Sequence, residues 1–235
     1  MPSLIRFSGA PHEAHRLSRL LEPVIYISNL AVAAWIYPAW STARVRWKPD
    51  LAALIRLFEE RTQPLICYGW HAHELLTFCA FREVPRRLIP TVIGHDGFLS
   101  RALQHFSTWY GFPVWVYRRH STVRPTTQLI GLLANSREPI CLFPDAGGPD
   151  GLVKPGIVEV ARATGARLVP MAVEAHPVVA ISGRRRYLLP LPFSRVVAHY
   201  GDPLDGGQCT VADCQRALEL LEQQMQRGRV CGSAA

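Results

Sequence analysis

Apolar positions recur along this chain in two rhythms, one of helical period and one of short continuous runs. Between residues 50 and 60, Leu51, Leu54, Ile55, Leu57 and Phe58 fall at helical spacing and predict a short amphipathic helix. The run Pro64–Tyr68 is continuously apolar and stops at Gly69-Trp70; Leu75, Phe78 and Cys79 then resume helix-like spacing. That sequence predicts a strand, a turn and a helix N-terminus around Ile66–Glu74. Further on, Leu88–Ile93 reads as a strand, Phe98–Tyr110 as a helix, Pro113–Tyr117 as a strand and Val123–Ala134 as a helix. Ile140–Phe143 reads as a buried strand, Gly156–Ala163 as the opening of a helix, and Arg167–Glu174 as a strand entered from Gly165-Ala166. Tyr187–Leu191 and Arg195–Tyr200 read as two more strands of antiparallel sense, and Val211–Gln226 as a terminal helix before a fraying tail at Gly232–Ala235. Strands alternating with helices predict an α/β fold with a mostly parallel central sheet flanked by helices on both faces.

The N-terminal part has a different pattern. Residues 11–22 carry helical spacing at Leu17, Leu20 and Leu21 with mixed charge, and Pro23–Ala43 contains no charged residue. As a helix rising about 1.5 Å per residue, that segment spans roughly 30 Å, enough for a bilayer core. Asn29, Pro38, Ser41 and Thr42 weaken a spanning helix, which leaves half-embedding or burial in the core open. Trp35, Tyr37, Trp40 and Trp47 gather at one end, followed by Arg44, Arg46 and Lys48, as in interfacial anchoring. No internal repeat or low-complexity linker divides the rest. The expected organisation is an N-terminal helical, membrane-associated segment (1–48) and one α/β domain (49–235).

Composition narrows the class. The chain has 235 residues, of which 49% are hydrophobic and 19% charged, enough to bury a core and too apolar for disorder. The formal charge is +8, and Lys48 and Lys154 are the only lysines, so arginine supplies nearly all of it. Arginine suits bidentate recognition of phosphate and carboxylate, pointing to an anionic membrane surface, a phosphorylated substrate or nucleic acid. The arginines are scattered and no nucleic-acid motif occurs, so no nucleic-acid partner is expected. The six cysteines form no C-x-x-C pair; Cys67 and Cys141 sit in apolar runs as buried thiols, consistent with a reducing compartment. The start of the chain lacks the pattern of an ordinary secretory signal.

Candidate chemistry centres on His71. It lies at the carboxyl end of a strand, where open α/β sheets bind ligands, and at a helix N-terminus. A histidine is suited to act as a base near neutral pH, and Glu74, three residues on, shares its helix face. His95-Asp96-Gly97 ends the next strand, and if the two strands are neighbours Asp96 approaches His71; otherwise Asp96 caps the following helix. His71, His73, Glu74, His95 and Asp96 also allow a nitrogen–oxygen ligand set. His71 and His73, however, point to different faces of a helix, and no metal is expected. Arg118-Arg119 at the end of a strand suits a phosphate. The loop Pro144–Gly151, with Asp145, Gly147 and Gly148, leads through Lys154 to a helix opening at Gly156 and favours an anion, although it lacks P-loop spacing.

In order, these blocks resemble the glycerolipid (lysophospholipid) acyltransferase superfamily, nearest its bacterial branch of uncharacterised function. The carrying blocks are Trp70-His71, His95-Asp96-Gly97, Arg118-Arg119-His120-Ser121, Asp145–Pro149 with Lys154-Pro155-Gly156, and Val169-Pro170, within residues 64–175. The resemblance implies that His71 is the general base on an acceptor hydroxyl that attacks an acyl thioester of CoA or acyl carrier protein. It implies that Arg118 or Arg119 holds the acceptor's phosphate, and that Asp145–Gly148 replaces the superfamily's Glu-Gly-Thr-Arg loop. No cofactor beyond the acyl co-substrate is implied. The partners it implies are a membrane lipid, the membrane surface and, where it is the donor, acyl carrier protein, at the cytoplasmic face of the inner membrane. The acid usually found five positions after the histidine is here Leu76, so the orienting carboxylate is Glu74 or Asp96. Two rival classes stand beside it: a non-catalytic lipid-binding protein of the same fold, and a metallohydrolase using His71, His73, His95 and Asp96.

Overall fold

The computed structural model describes residues 5–7, 23–24, 27, 34, 36–95, 109–117, 121–145, 150–182 and 186–232. The helix expected at 11–22 and nearly all of Phe98–Tyr110 lie outside them. Among the described residues there are nine strands: β1 (Ile5–Phe7), β2 (Arg44–Lys48), β3 (Leu65–Tyr68), β4 (Thr91–His95), β5 (Val114–Tyr117), β6 (Ile140–Leu142), β7 (Arg167–Ser182), β8 (Arg186–Tyr200) and β9 (Leu204–Asp205). Eight run in the order β1-β5-β4-β6-β3-β7-β8-β2, with β9 beside β7. Every pairing from β1 through β7 is parallel, β7 with β8 is antiparallel, and β8 with β2 is parallel. The expected mixed, mostly parallel α/β sheet flanked by helices is what forms.

Helices cover both faces because β3 is apolar on both. Leu65 and Cys67 join the core with Leu54 and Phe58 of the helix Leu51–Glu60 and Phe78 and Phe81 of the helix Glu74–Phe81. Ile66 and Tyr68 point the other way, into Leu129 and Leu133 of the helix Pro125–Asn135, Ile157 and Ala161 of Gly156–Thr164, and Leu218 of Val211–Gly232. A strand buried on both sides needs a continuous apolar run rather than alternation. Burial holds the thiols of Cys67 and Cys141, cross-strand partners in β3 and β6, well above the usual thiol range.

Three expectations change. Tyr187–Leu191 and Arg195–Tyr200 are one strand, β8, which runs on through a left-handed Phe193 (φ 63°) opposite the irregularity at His176/Val178. β7 extends to Ser182, so β7 and β8 form a long hairpin. Arg44–Lys48, read as a basic flank of a membrane segment, is strand β2 on the sheet's last edge. Its tryptophan is a packing residue: Trp47 lies 5.9 Å from Phe81 and 6.4 Å from Tyr200 between ring centroids. Trp40 packs likewise, edge-on to Tyr110 at 4.7 Å and under the Arg82 guanidinium at 5.8 Å. Arg82 also donates to the carbonyls of Trp40 and Ala43, closing the helical stretch 36–42. Among the described residues no helix is long and apolar enough to cross a membrane.

Candidate active site around His71

β3, β4, β5 and β6 run parallel, so their carboxyl ends share one edge of the sheet. β3 leaves that edge at Gly69, where a Cβ would stand 2.7 Å from the Met171 carbonyl oxygen of β7. Backbone passes where a side chain would go, so only glycine fits the turn that delivers His71. Gly69→Ala is therefore expected to destabilise the fold by about 1–3 kcal/mol, read as a lowered thermal midpoint; an unchanged midpoint would show that β7 yields freely. Trp70 is buried. His71–His73 then forms a single 3₁₀ turn, with the His73 N–H donating to the Trp70 carbonyl at 2.9 Å, before the helix Glu74–Phe81 begins.

The His71 side chain is held in a partly enclosed corner, 13% exposed. Its Nε2 lies 3.4 Å from Oε2 of Glu74, whose side chain is only 5% exposed. A buried carboxylate is stable only with a partner, and three residues along a tight turn bring these two groups onto one face. The same Nε2 lies 3.3 Å from the Tyr187 hydroxyl, with ring centroids 4.9 Å apart. Phe143 stands edge-on to the imidazole at 6.1 Å. Nε2 carries one proton or one lone pair, so it donates to Glu74 or accepts from Tyr187, and the tautomer decides which.

Asp145 is 1% exposed. Its Oδ1 accepts the His71 backbone N–H at 2.9 Å, and its Oδ2 accepts the Gly151 N–H at 3.3 Å. It ties the turn after β3 to the loop after β6. Gly151 has φ 76°, a left-handed conformation natural to glycine. The loop is further pinned by Gln215, which accepts from the Val153 N–H and donates to the Gly151 carbonyl. Lys154 follows, half-buried, at the entry to the helix Gly156–Thr164. Gly156 serves packing: a Cβ there would be 3.0 Å from Cγ2 of Thr126.

The strand adjacency on which the approach of Asp96 was conditional is absent: β6 lies between β4 and β3, and Asp145, in the loop after β6, accepts the His71 N–H. Asp96, Arg118, Arg119, Gly147 and Gly148 lie outside the described residues; β4 and β5, which precede the first three, end on the His71 edge. His73 is buried, and its carbonyl accepts the Thr77 hydroxyl. Among the described residues no group of three or more His, Cys, Asp or Glu gathers as metal ligands. The metal set would have to draw on Asp96 and the His95 side chain, which are not described.

Sequence spacing missed Tyr187, which is 116 positions from its partner. Only the length of the β7–β8 hairpin brings it over the site, and no local pattern signals that. A second buried pair, His199 with Glu174 at 3.3 Å, was likewise invisible. The chain matches no family model and no curated protein.

Proposed function

We propose that this protein is an acyltransferase of the lysophospholipid type, moving an acyl group from an acyl thioester to the hydroxyl of a membrane lipid. The observation that carries the reading is the His71–Glu74 pair at the carboxyl edge of a parallel sheet, with a buried carboxylate 3.4 Å from the base. In the reaction, His71 takes the proton of the acceptor hydroxyl as its oxygen bonds to the thioester carbonyl carbon. The Glu74 carboxylate stabilises the imidazolium so formed. When the C–S bond breaks, the departing sulfur takes the proton back from His71, regenerating the base. Arg118 and Arg119, next in sequence after β5, hold the acceptor's phosphate, with Lys154 as a further cation. Residues 1–48 associate with the membrane, on its cytoplasmic face. CoA and acyl carrier protein both fit as donor, and no resident cofactor is required by these steps.

The test is direct: purified protein, a lysophospholipid and either acyl-CoA or acyl carrier protein should give the diacyl lipid and free thiol. No product with either donor would overturn the reading. That outcome, with lipid retained on purification, would favour a lipid-binding protein of the same fold, for which Tyr187 at Nε2 is the supporting observation.

In the catalytic reading the Tyr187 hydroxyl stands where the acceptor hydroxyl must approach Nε2. Tyr187→Phe is expected to raise kcat/KM by a few-fold and at most about ten-fold, the worth of one neutral hydrogen bond of about 1 kcal/mol. A hundred-fold fall in steady-state assays would instead make Tyr187 part of the chemistry.

A further inference from the structure

The outer face of the sheet's last three strands carries cations without acids to match. Cross-strand register puts Arg44 of β2, Arg195 of β8 and His176 of β7 in one row, and Arg46, Val197 and Glu174 in the next. Lys48 follows, opposite His199. Paired residues share a face, and alternation along β2 keeps Arg44, Arg46 and Lys48 on the same side. All three, with Arg195 and His176, are exposed. The opposite face is the packed one, where Val45, Val196, Ala175, Ala198 and Val173 meet the helix Glu74–Phe81. β2 is the end of the strand path, so this surface is an edge as well as a face.

Like charges directly opposite in a sheet oppose folding, yet Arg44 faces Arg195. Four described arginines elsewhere are ion-paired, Arg82 with Glu83, Arg87 with Glu59, Arg124 with Glu159 and Arg167 with Glu60. Among the described residues no ion pair is made by Arg44, Arg46, Lys48 or Arg195. The acid on their face, Glu174, is engaged by His199. A repulsive row kept unmatched fits an anionic partner.

The rim of this array carries an exposed aromatic side chain: Phe193, two residues before Arg195, is 70% exposed. Phe193 is fixed there: its N–H donates to the Thr42 hydroxyl at 2.9 Å, next to β2, and the Ser194 hydroxyl donates to the Pro177 carbonyl at 2.6 Å, next to Val178. An exposed aromatic side chain beside a basic array matches a bilayer interface, with headgroup phosphates against the arginines and the ring entering the acyl boundary.

We propose that this face of β2, β8 and β7, with Phe193 at its rim, docks the protein on an anionic lipid bilayer. The proposal deepens the lipid reading above and rests on it for choosing lipid over other polyanions. The experiment is co-sedimentation of the full chain with vesicles of phosphatidylcholine alone and with vesicles containing roughly a third phosphatidylglycerol. Wild-type protein is expected to prefer the anionic vesicles. Each arginine removed should weaken that binding about five-fold, so the triple variant Arg44→Gln, Arg46→Gln, Arg195→Gln should lose on the order of a hundred-fold. The charge-preserving triple change to lysine should keep most of the affinity, which separates lost charge from lost fold. Phe193→Ser should weaken binding to both vesicle types. Undiminished binding by the glutamine variant, no preference for anionic vesicles, or tighter binding of a nucleic-acid duplex than of the vesicles would each overturn the proposal. Vesicle binding is read without turnover, so a protein that docks through these arginines but transfers no acyl group would refute the catalytic reading and leave this one standing.

Discussion

Replacing His71 with alanine is expected to abolish acyl transfer, lowering kcat by a hundred-fold or more while leaving the fold intact. Removing a general base costs about 10²–10⁴-fold, and no other described imidazole is set beside a carboxylate at the carboxyl edge of the parallel strands. The side chain is 13% exposed and in contact with Phe143 and Tyr187, so alanine leaves a small open space rather than a large buried void. Far-UV circular dichroism and the thermal midpoint should therefore stay close to wild type. The companion change Glu74→Gln keeps shape and removes charge. It should leave KM near its original value and lower kcat, because the carboxylate acts on the imidazolium that exists only after proton transfer. Near-normal transfer by His71→Ala, assayed by thiol release, would sink the mechanism.

Asp145→Ala is expected to lower stability and activity together. The carboxylate is 1% exposed and accepts the N–H groups of His71 and Gly151, from loops that follow two different strands. Alanine leaves both donors without their acceptor at about 1–3 kcal/mol each, and the thermal midpoint should fall by roughly 5–15 °C. Activity should fall by more than the loss of folded protein accounts for, since a base displaced by about 1 Å loses on the order of a hundred-fold. Asp145→Asn keeps one acceptor oxygen and should fall between the two. The deciding comparison is kcat per folded molecule: if Asp145→Ala restores wild-type turnover once the unfolded fraction is removed, Asp145 has no part in positioning His71.

The sequence alone determined the class of fold and singled out the centre of the candidate site. Leu65–Tyr68 and Ile140–Leu142 are apolar throughout because both of their faces are buried, and Leu51–Glu60 repeats at helical period because only one face is. These are local consequences of burial, so they are written in local order. His71 with Glu74 was legible for the same reason, since three residues in a tight turn have few ways to be apart. The tertiary structure alone decided which distant groups meet them. Strand order put β6 rather than β4 beside β3, which gave His71 the carboxylate of Asp145 and ruled out the adjacent-strand route for Asp96. The length of one hairpin brought Tyr187 to Nε2, and the register of three strands gathered Arg44, Arg46 and Arg195 on one face. Neither strand order nor register leaves a period in the sequence. Both follow from which apolar surfaces pack together, a property of the whole chain.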